Sequence, residues 1–184
     1  PRCWWYVPRA SARSPWGSAG GPRPTPELPC AASIAWKGQP NWTGSLIASR
    51  RVITAGHCLL GVSAADTVVR IGGSAYSAKN VFTHPQYTDA VRFPDIGLIE
   101  LNSTLNRTTL PLASASQVDS MRGKGVTLFG YGKDKSGKMT SIINKSPDGA
   151  WSLTNFCQIA RDRCFSRASW DTYTAVRGGD MGGP

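Results

Sequence analysis

Three short segments carry residue types that chemistry could use. His57 sits in Thr54-Ala55-Gly56-His57-Cys58, Asp95 opens the run Pro94-Asp95-Ile96-Gly97-Leu98-Ile99-Glu100-Leu101, and Met181 lies in Gly178-Gly179-Asp180-Met181-Gly182-Gly183-Pro184. An imidazole and a carboxylate are side chains that move protons in catalysis. Each segment alone also has a bland reading. A histidine beside a cysteine is more often structural or superficial. An aspartate ahead of an apolar run is more often a turn or cap residue, and a Gly-Asp-X-Gly-Gly-Pro string is more often only a turn. The order His57, Asp95, position 181 on one chain is far more specific than any of its members. The thioether at 181 has no proton for a base to remove. Sulfur attack on an amide carbonyl would give an unstable acylsulfonium, so Met181 supplies no useful nucleophile.

The three segments resemble the signatures of the chymotrypsin-like (trypsin-like) serine proteases, in which the last string reads Gly-Asp-Ser-Gly-Gly-Pro. The chain order is that family's, not the subtilisin or α/β-hydrolase order. Other stretches match between them. Thr43-Gly44-Ser45-Leu46-Ile47 resembles the Cys-Gly-Gly-Ser-Leu strand before the histidine. Thr83-His84-Pro85-Gln86-Tyr87 resembles the His-Pro-X-Tyr turn before the aspartate, and Phe129-Gly130-Tyr131-Gly132 the Gly-Trp-Gly that opens the second barrel. The resemblance runs from about Ser18 to Pro184, in the style of bacterial secreted members.

By that resemblance His57 is the base, Asp95 its orienter, and Met181 the nucleophile position with its serine lost. The backbone N–H groups of Gly179 and Met181 would form the oxyanion hole. A side-chain change leaves such N–H groups in place. Ala175, six residues before the nucleophile position, falls at the base of the specificity pocket. It offers no carboxylate for Arg or Lys, which points to apolar or small residues. Asp180 is the activation-pair position, partner of a new terminal ammonium. Ser18 follows Gly17, so cleavage after a basic residue is not encoded at that bond. The resemblance implies protein or peptide substrates, no cofactor, no metal, a monomer, and a secreted, extracellular setting.

The elements that must position these residues read as all-β. Residues 31–36, 43–48, 51–54, 67–71, 76–82 and 96–101 are short β-branched and apolar runs. Turn residues such as Gly38 to Asn41 and Gly72-Gly73 separate them. They suffice for one six-stranded barrel. A polar connector over 102–122 precedes further strand-like runs at 126–129, 139–144 and 150–153. The family fold is a double six-stranded antiparallel β-barrel, and here the second barrel is expected to be incomplete, with the chain a fragment. The expected organisation is a leader over 1–29, rich in Arg, Pro, Ser and Gly, a first barrel over 30–112, and a connector with an incomplete second barrel over 113–184.

The chain of 184 residues carries a formal net charge of +10. Such a charge attracts acidic surfaces and nucleic acid. The basic residues are nevertheless spread along the chain, without the stripe of a dedicated nucleic-acid binder, so no specific nucleic-acid partner is expected. No apolar run reaches the ~18 residues that a spanning helix needs, and no membrane association is expected. Four sequons, at Asn41, Asn102, Asn106 and Asn144, read as chance matches.

The cysteines are Cys3, Cys30, Cys58, Cys157 and Cys164. Their spacing is not that of a zinc site, and an oxidising compartment fits them better. In the family the cysteine after the histidine pairs with the one in Cys-Gly-Gly-Ser-Leu. That position is Trp42 here, so Cys58 must find another partner or stay a buried thiol, and Cys30, on the strand leading into this barrel, is the expected partner. Cys157 could pair with Cys164.

Three functions compete for the sequence. One is a serine endopeptidase homologue, inactive as written because Met181 replaces the nucleophile and the chain is truncated. Another is a natural non-catalytic pseudoprotease that acts as a protein-binding module. A basic adhesion protein would instead show steeply salt-dependent binding to heparin or nucleic acid.

Overall fold

Apolar residues at every second position set the first half of the chain. In Thr67-Val68-Val69-Arg70-Ile71 residues 67, 69 and 71 are buried, and in Gly97-Leu98-Ile99-Glu100-Leu101 residues 97, 99 and 101 are buried. Side chains alternate across a strand, so each run turns one row inward and leaves the other outside. The computed structural model describes residues 23–24, 28–88, 94–121, 124–126, 129–132, 139, 141, 143–145, 151–158 and 163–170.

The strands in chain order are β1 (Arg23–Pro24), β2 (Ala31–Trp36), β3 (Gln39–Ala48), β4 (Arg51–Thr54), β5 (Thr67–Ile71), β6 (Ser74–Thr83) and β7 (Gly97–Leu101). After the short helix α1 (Ala115–Ser120) come β8 (Gly125–Val126), β9 (Phe129–Gly130), β10 (Asn144–Lys145), β11 (Trp151–Gln158) and β12 (Arg163–Trp170). β2 to β7 close into an antiparallel barrel in the order β2-β3-β4-β7-β6-β5. These are the six strands expected from the sequence, with β3 and β6 longer than expected. Two-residue turns join β2 to β3 and β5 to β6. Lys37 and Gly38 have φ of 50° and 76°, and Gly72 and Gly73 have 55° and 83°. Both central residues at positive φ is the type I′ signature, whose twist suits a hairpin.

Ile34, Leu46, Val52, Val69, Ile71, Ile99 and Leu101 fill the barrel, each fully buried. Each such side chain contributes roughly 1.5–3 kcal/mol by leaving water. Gly44 allows the walls to close. A Cβ there would meet Val52 Cγ1 at 2.8 Å and the Ile53 carbonyl oxygen at 2.9 Å. Register shifts at Ile34/Ala35, Leu46/Ala48 and Ala78/Asn80 interrupt the β2–β3, β3–β4 and β6–β7 ladders, and such irregularities bend a sheet.

The rest of the described chain is organised differently. It forms two three-stranded sheets, ordered β1-β10-β9 and β12-β11-β8. The all-β expectation with an incomplete second barrel fits this arrangement. Several particulars were not foreseen. Arg23–Pro24, inside the expected leader, pair with Lys145 and Asn144, and Leu28 packs against the barrel core. Pro24 lacks an N–H, and its strand lies at the edge of its sheet, where none is required. α1 lies within the expected connector and is held by a capping box between Ser114 and Gln117. β12 has no counterpart among the expected strands. No helix among the described residues is long and apolar enough to cross a membrane.

Candidate functional site

β4 ends at Thr54, and Gly56–Cys58 form one tight 3₁₀ turn. The turn lies against the start of β7 because two glycines clear the way. A Cβ on Gly56 would meet the Ile96 carbonyl oxygen at 2.9 Å and Asp95 Oδ1 at 3.2 Å. A Cβ on Gly97 would meet Leu59 Cδ1 at 2.7 Å and the Ala55 carbonyl oxygen at 3.0 Å. Asp95 is held from its other side. The Ile96 N–H donates to the Pro94 carbonyl oxygen at 3.0 Å, and the His84 N–H donates to the Ile96 carbonyl oxygen at 2.9 Å. The His84–Tyr87 turn therefore braces the loop that carries the carboxylate.

The result is a carboxylate gripped twice by one residue. The His57 backbone N–H donates to Asp95 Oδ1 at 2.7 Å, and His57 Nδ1 lies 2.7 Å from Asp95 Oδ2. An ionised carboxylate only accepts, so Nδ1 carries the ring proton and Nε2 is left as the acceptor. A proton taken up at Nε2 would make an imidazolium already facing a carboxylate. The side chains of His57 and Asp95 are 33% and 35% exposed. The structure thus brings together His57 and Asp95, two of the residues the sequence singled out, in a pair able to take up and hold a proton. Ala175, Gly179, Asp180 and Met181 lie outside the described residues.

Cys58 is a feature of the site that sequence reading did not place. Its Sγ lies 3.5 Å from His57 Nε2. It is fully buried. Burial pushes its thiol up to about 11, helped by the nearby Asp95 charge and opposed by hydrogen bonds from Thr54 and the Ala55 backbone. Such a thiol is almost wholly protonated at neutral pH, so Cys58 meets Nε2 as a thiol and not as a thiolate. Thr54 Oγ1 donates to the Thr43 carbonyl oxygen at 2.8 Å, and the Tyr131 N–H donates to Thr43 Oγ1 at 2.9 Å. The shelf beneath Cys58 is thereby tied to the Phe129–Tyr131 segment. Burial also raises the Tyr131 phenol above its ordinary range.

The disulfide expected between Cys30 and Cys58 is not formed, and both residues are thiols. The Cys30 carbonyl accepts from the Leu46 N–H at 2.8 Å at the start of the β2–β3 ladder, whereas Cys58 sits in the 3₁₀ turn after β4. Trp42 has turned to other work. It stacks on Trp36 with ring centroids 6.4 Å apart, and Lys37 Nζ sits 4.7 Å from the Trp36 centroid. Cys157 and Cys164 face each other in register across β11 and β12. Among the described residues no group of three or more His, Cys, Asp and Glu side chains could hold a metal ion.

Comparison with known proteins gives a concordant result. The family model described as Trypsin matches residues 18–184. A trypsin of Saccharopolyspora erythraea is 30% identical over 114 residues, 58% of this chain and 50% of the relative. Trypsin beta of Drosophila erecta is 29% identical over 149 residues, 77% of this chain and 56% of the relative. Phenoloxidase-activating factor 1 of Holotrichia diomphalia is 29% identical over 154 residues, 65% of this chain and 42% of the relative. The chain spans about half the length of the curated relatives it matches.

Proposed function

The chain belongs to the trypsin family, and from that premise we propose that it is a serine endopeptidase homologue that retains the proton-handling pair and lacks acyl transfer at position 181. The observation that carries the reading is the double grip of His57 on Asp95, with both contacts at 2.7 Å, set against Met181 where the family motif has serine. In the acyl-enzyme mechanism a base takes the hydroxyl proton as oxygen attacks, and the carboxylate stabilises the resulting imidazolium. His57 and Asp95 can perform their share. Nothing at Met181 can form the acyl bond. The backbone N–H groups of Gly179 and Met181 are assigned to the oxyanion hole, Ala175 to the pocket base and Asp180 to the activation pair. All four assignments rest on motif position alone. The substrates of this reading are proteins or peptides, and its setting is extracellular.

The test is covalent. A fluorophosphonate probe, which reports a base-activated serine, should leave the chain unlabelled. Labelling of the unmodified chain that disappears in His57→Ala would overturn the reading. The second reading, a binding module without turnover, is supported by the substitution itself, because replacing serine by methionine removes no backbone donor. It is checked by titrating a fluorescent peptide with apolar or small side chains and following both anisotropy and cleavage. Saturable anisotropy with an intact peptide supports it, and cleavage removes it.

A further inference from the structure

β11 and β12 form a hairpin of eight consecutive rungs, from Trp151↔Trp170 to Gln158↔Arg163, without a register shift. Among the described residues, a third strand lies beside the first two rungs alone, where β8 pairs with Trp151 and Ser152. The outer rungs, Leu153↔Ala168 through Gln158↔Arg163, are a two-stranded arm among the described residues. Such ribbons are marginal in water without another contact or a covalent tie. The next-to-last rung is Cys157↔Cys164.

We propose that Cys157 and Cys164 are joined by a cross-strand disulfide that staples the outer end of this hairpin. Residues directly opposite on antiparallel strands have Cα atoms about 4.5–5.5 Å apart. That lies inside the 4.4–6.8 Å range a disulfide requires. Opposite residues also share a face of the pleat, so the two cysteines belong to the same row as Leu153↔Ala168 and Trp151↔Trp170. The chemistry is thiol–disulfide exchange with oxidised glutathione. One cysteine thiolate attacks a glutathione sulfur and releases one glutathione thiolate. The second cysteine, as thiolate, then displaces the other from the mixed disulfide. Two cysteine thiols are oxidised, one glutathione disulfide is reduced to two thiols, and the two protons pass to the released glutathiones. The proposal is independent of the reading at position 181, but it places a redox-dependent tie on the strand that leads toward Ala175 and Met181.

The experiment uses the full chain, refolded with a reduced/oxidised glutathione pair and collected as the monomer. It is alkylated without reduction and digested with a Lys/Arg-specific endopeptidase. Cleavage after Lys145, Arg161, Arg163 and Arg167 separates residues 146–161 from residues 164–167. The expected product is these two peptides joined, two hydrogens lighter than their sum, and separated by dithiothreitol. Recovery of both peptides alkylated, or of Cys157 linked to Cys3, Cys30 or Cys58, would overturn the proposal. A register control separates pairing by the sheet from chance closure of a short loop. With Cys164→Ser and Phe165→Cys the second thiol moves to the other face, and bridge yield should fall at least tenfold under the same conditions. Equal yield would show that the register is not responsible and would also overturn the proposal.

Discussion

In the first barrel every strand has a hydrogen-bonded neighbour on both sides, whereas beyond Leu101 the described strands lie in two open sheets. In those sheets β8, β9 and β10 are two residues long, and β11 and β12 run on together as an arm. The contrast divides the chemistry. His57 follows β4, Asp95 precedes β7, and β4 pairs with β7 from Arg51↔Glu100 to Thr54↔Gly97. His57 and Asp95 therefore draw their geometry from the closed barrel and the turns at its rim. Position 181 belongs to the chain after β12. In the reading proposed above, a substitution there removes the nucleophile, while the two contacts between His57 and Asp95 are made within the barrel's rim.

The sharpest way to break this division is to weaken the barrel itself. Ile99 is fully buried on β7, cross-strand from Val52 on β4 and Val81 on β6. Ile99→Ala should cost about 2–5 kcal/mol, the lost transfer energy plus an incompletely collapsed cavity. The urea midpoint followed by tryptophan emission measures it. Native-state hydrogen exchange on the parent chain sharpens the same contrast. Barrel amides should exchange only through global opening, and those of the reduced β11–β12 arm earlier, through local opening. Arm amides as slow as those of β7 would mean that the two regions unfold as one unit.

Alkaline pH probes the rim of the barrel without a substitution. A thiol of ordinary value 9.0 that burial raises to about 11 stays protonated in the native chain after the unfolded chain has lost its proton. Between those values unfolding releases a proton, so stability falls as pH rises from about 9 to about 11, and it is undiminished below 9. A difference of that size is worth roughly 2–3 kcal/mol. Urea midpoints at pH 8, 9, 10 and 11 should therefore descend more steeply in the parent than in Cys58→Ala. Parallel curves would show that Cys58 is not the group responsible.

Much of this was legible in the residues. Short apolar runs such as 67–71 and 96–101 announced the barrel, whereas the close approach that Gly56 allows to Asp95 and Ile96, and Gly97 to Ala55 and Leu59, was not read from the sequence. Ser114 and Gln117 spelled a capping box that reading 102–122 as a polar connector passed over. The Cys30–Cys58 pairing was expected from the place of Cys30 on the strand that leads into the barrel, and no bond joins the two buried cysteines. The contact of Cys58 with Nε2 carried no sequence signal, since neighbours in sequence on a strand or coil face apart and only the tight 3₁₀ turn brings them together. β12 was missed because Arg163 and Arg167 interrupt its apolar pattern.

The smallest expected effect tests whether the segment between the two regions belongs to either. α1 has no buried residue, and its N-terminus depends on the Gln117 N–H donating to Ser114 Oγ at 3.3 Å and the Ser114 N–H donating to Gln117 Oε1 at 2.8 Å. Ser114→Ala removes the first of these and should cost the helix about 1 kcal/mol. Because no side chain of α1 is buried, that loss has no packing through which to reach the barrel core. The amides of Val118 and Met121, which bond back within the same segment, should then exchange roughly fivefold faster. The urea midpoint should not move measurably. A drop in global stability as large as the helix's own loss would place α1 within the barrel's cooperative unit and move the boundary between the two regions past residue 120.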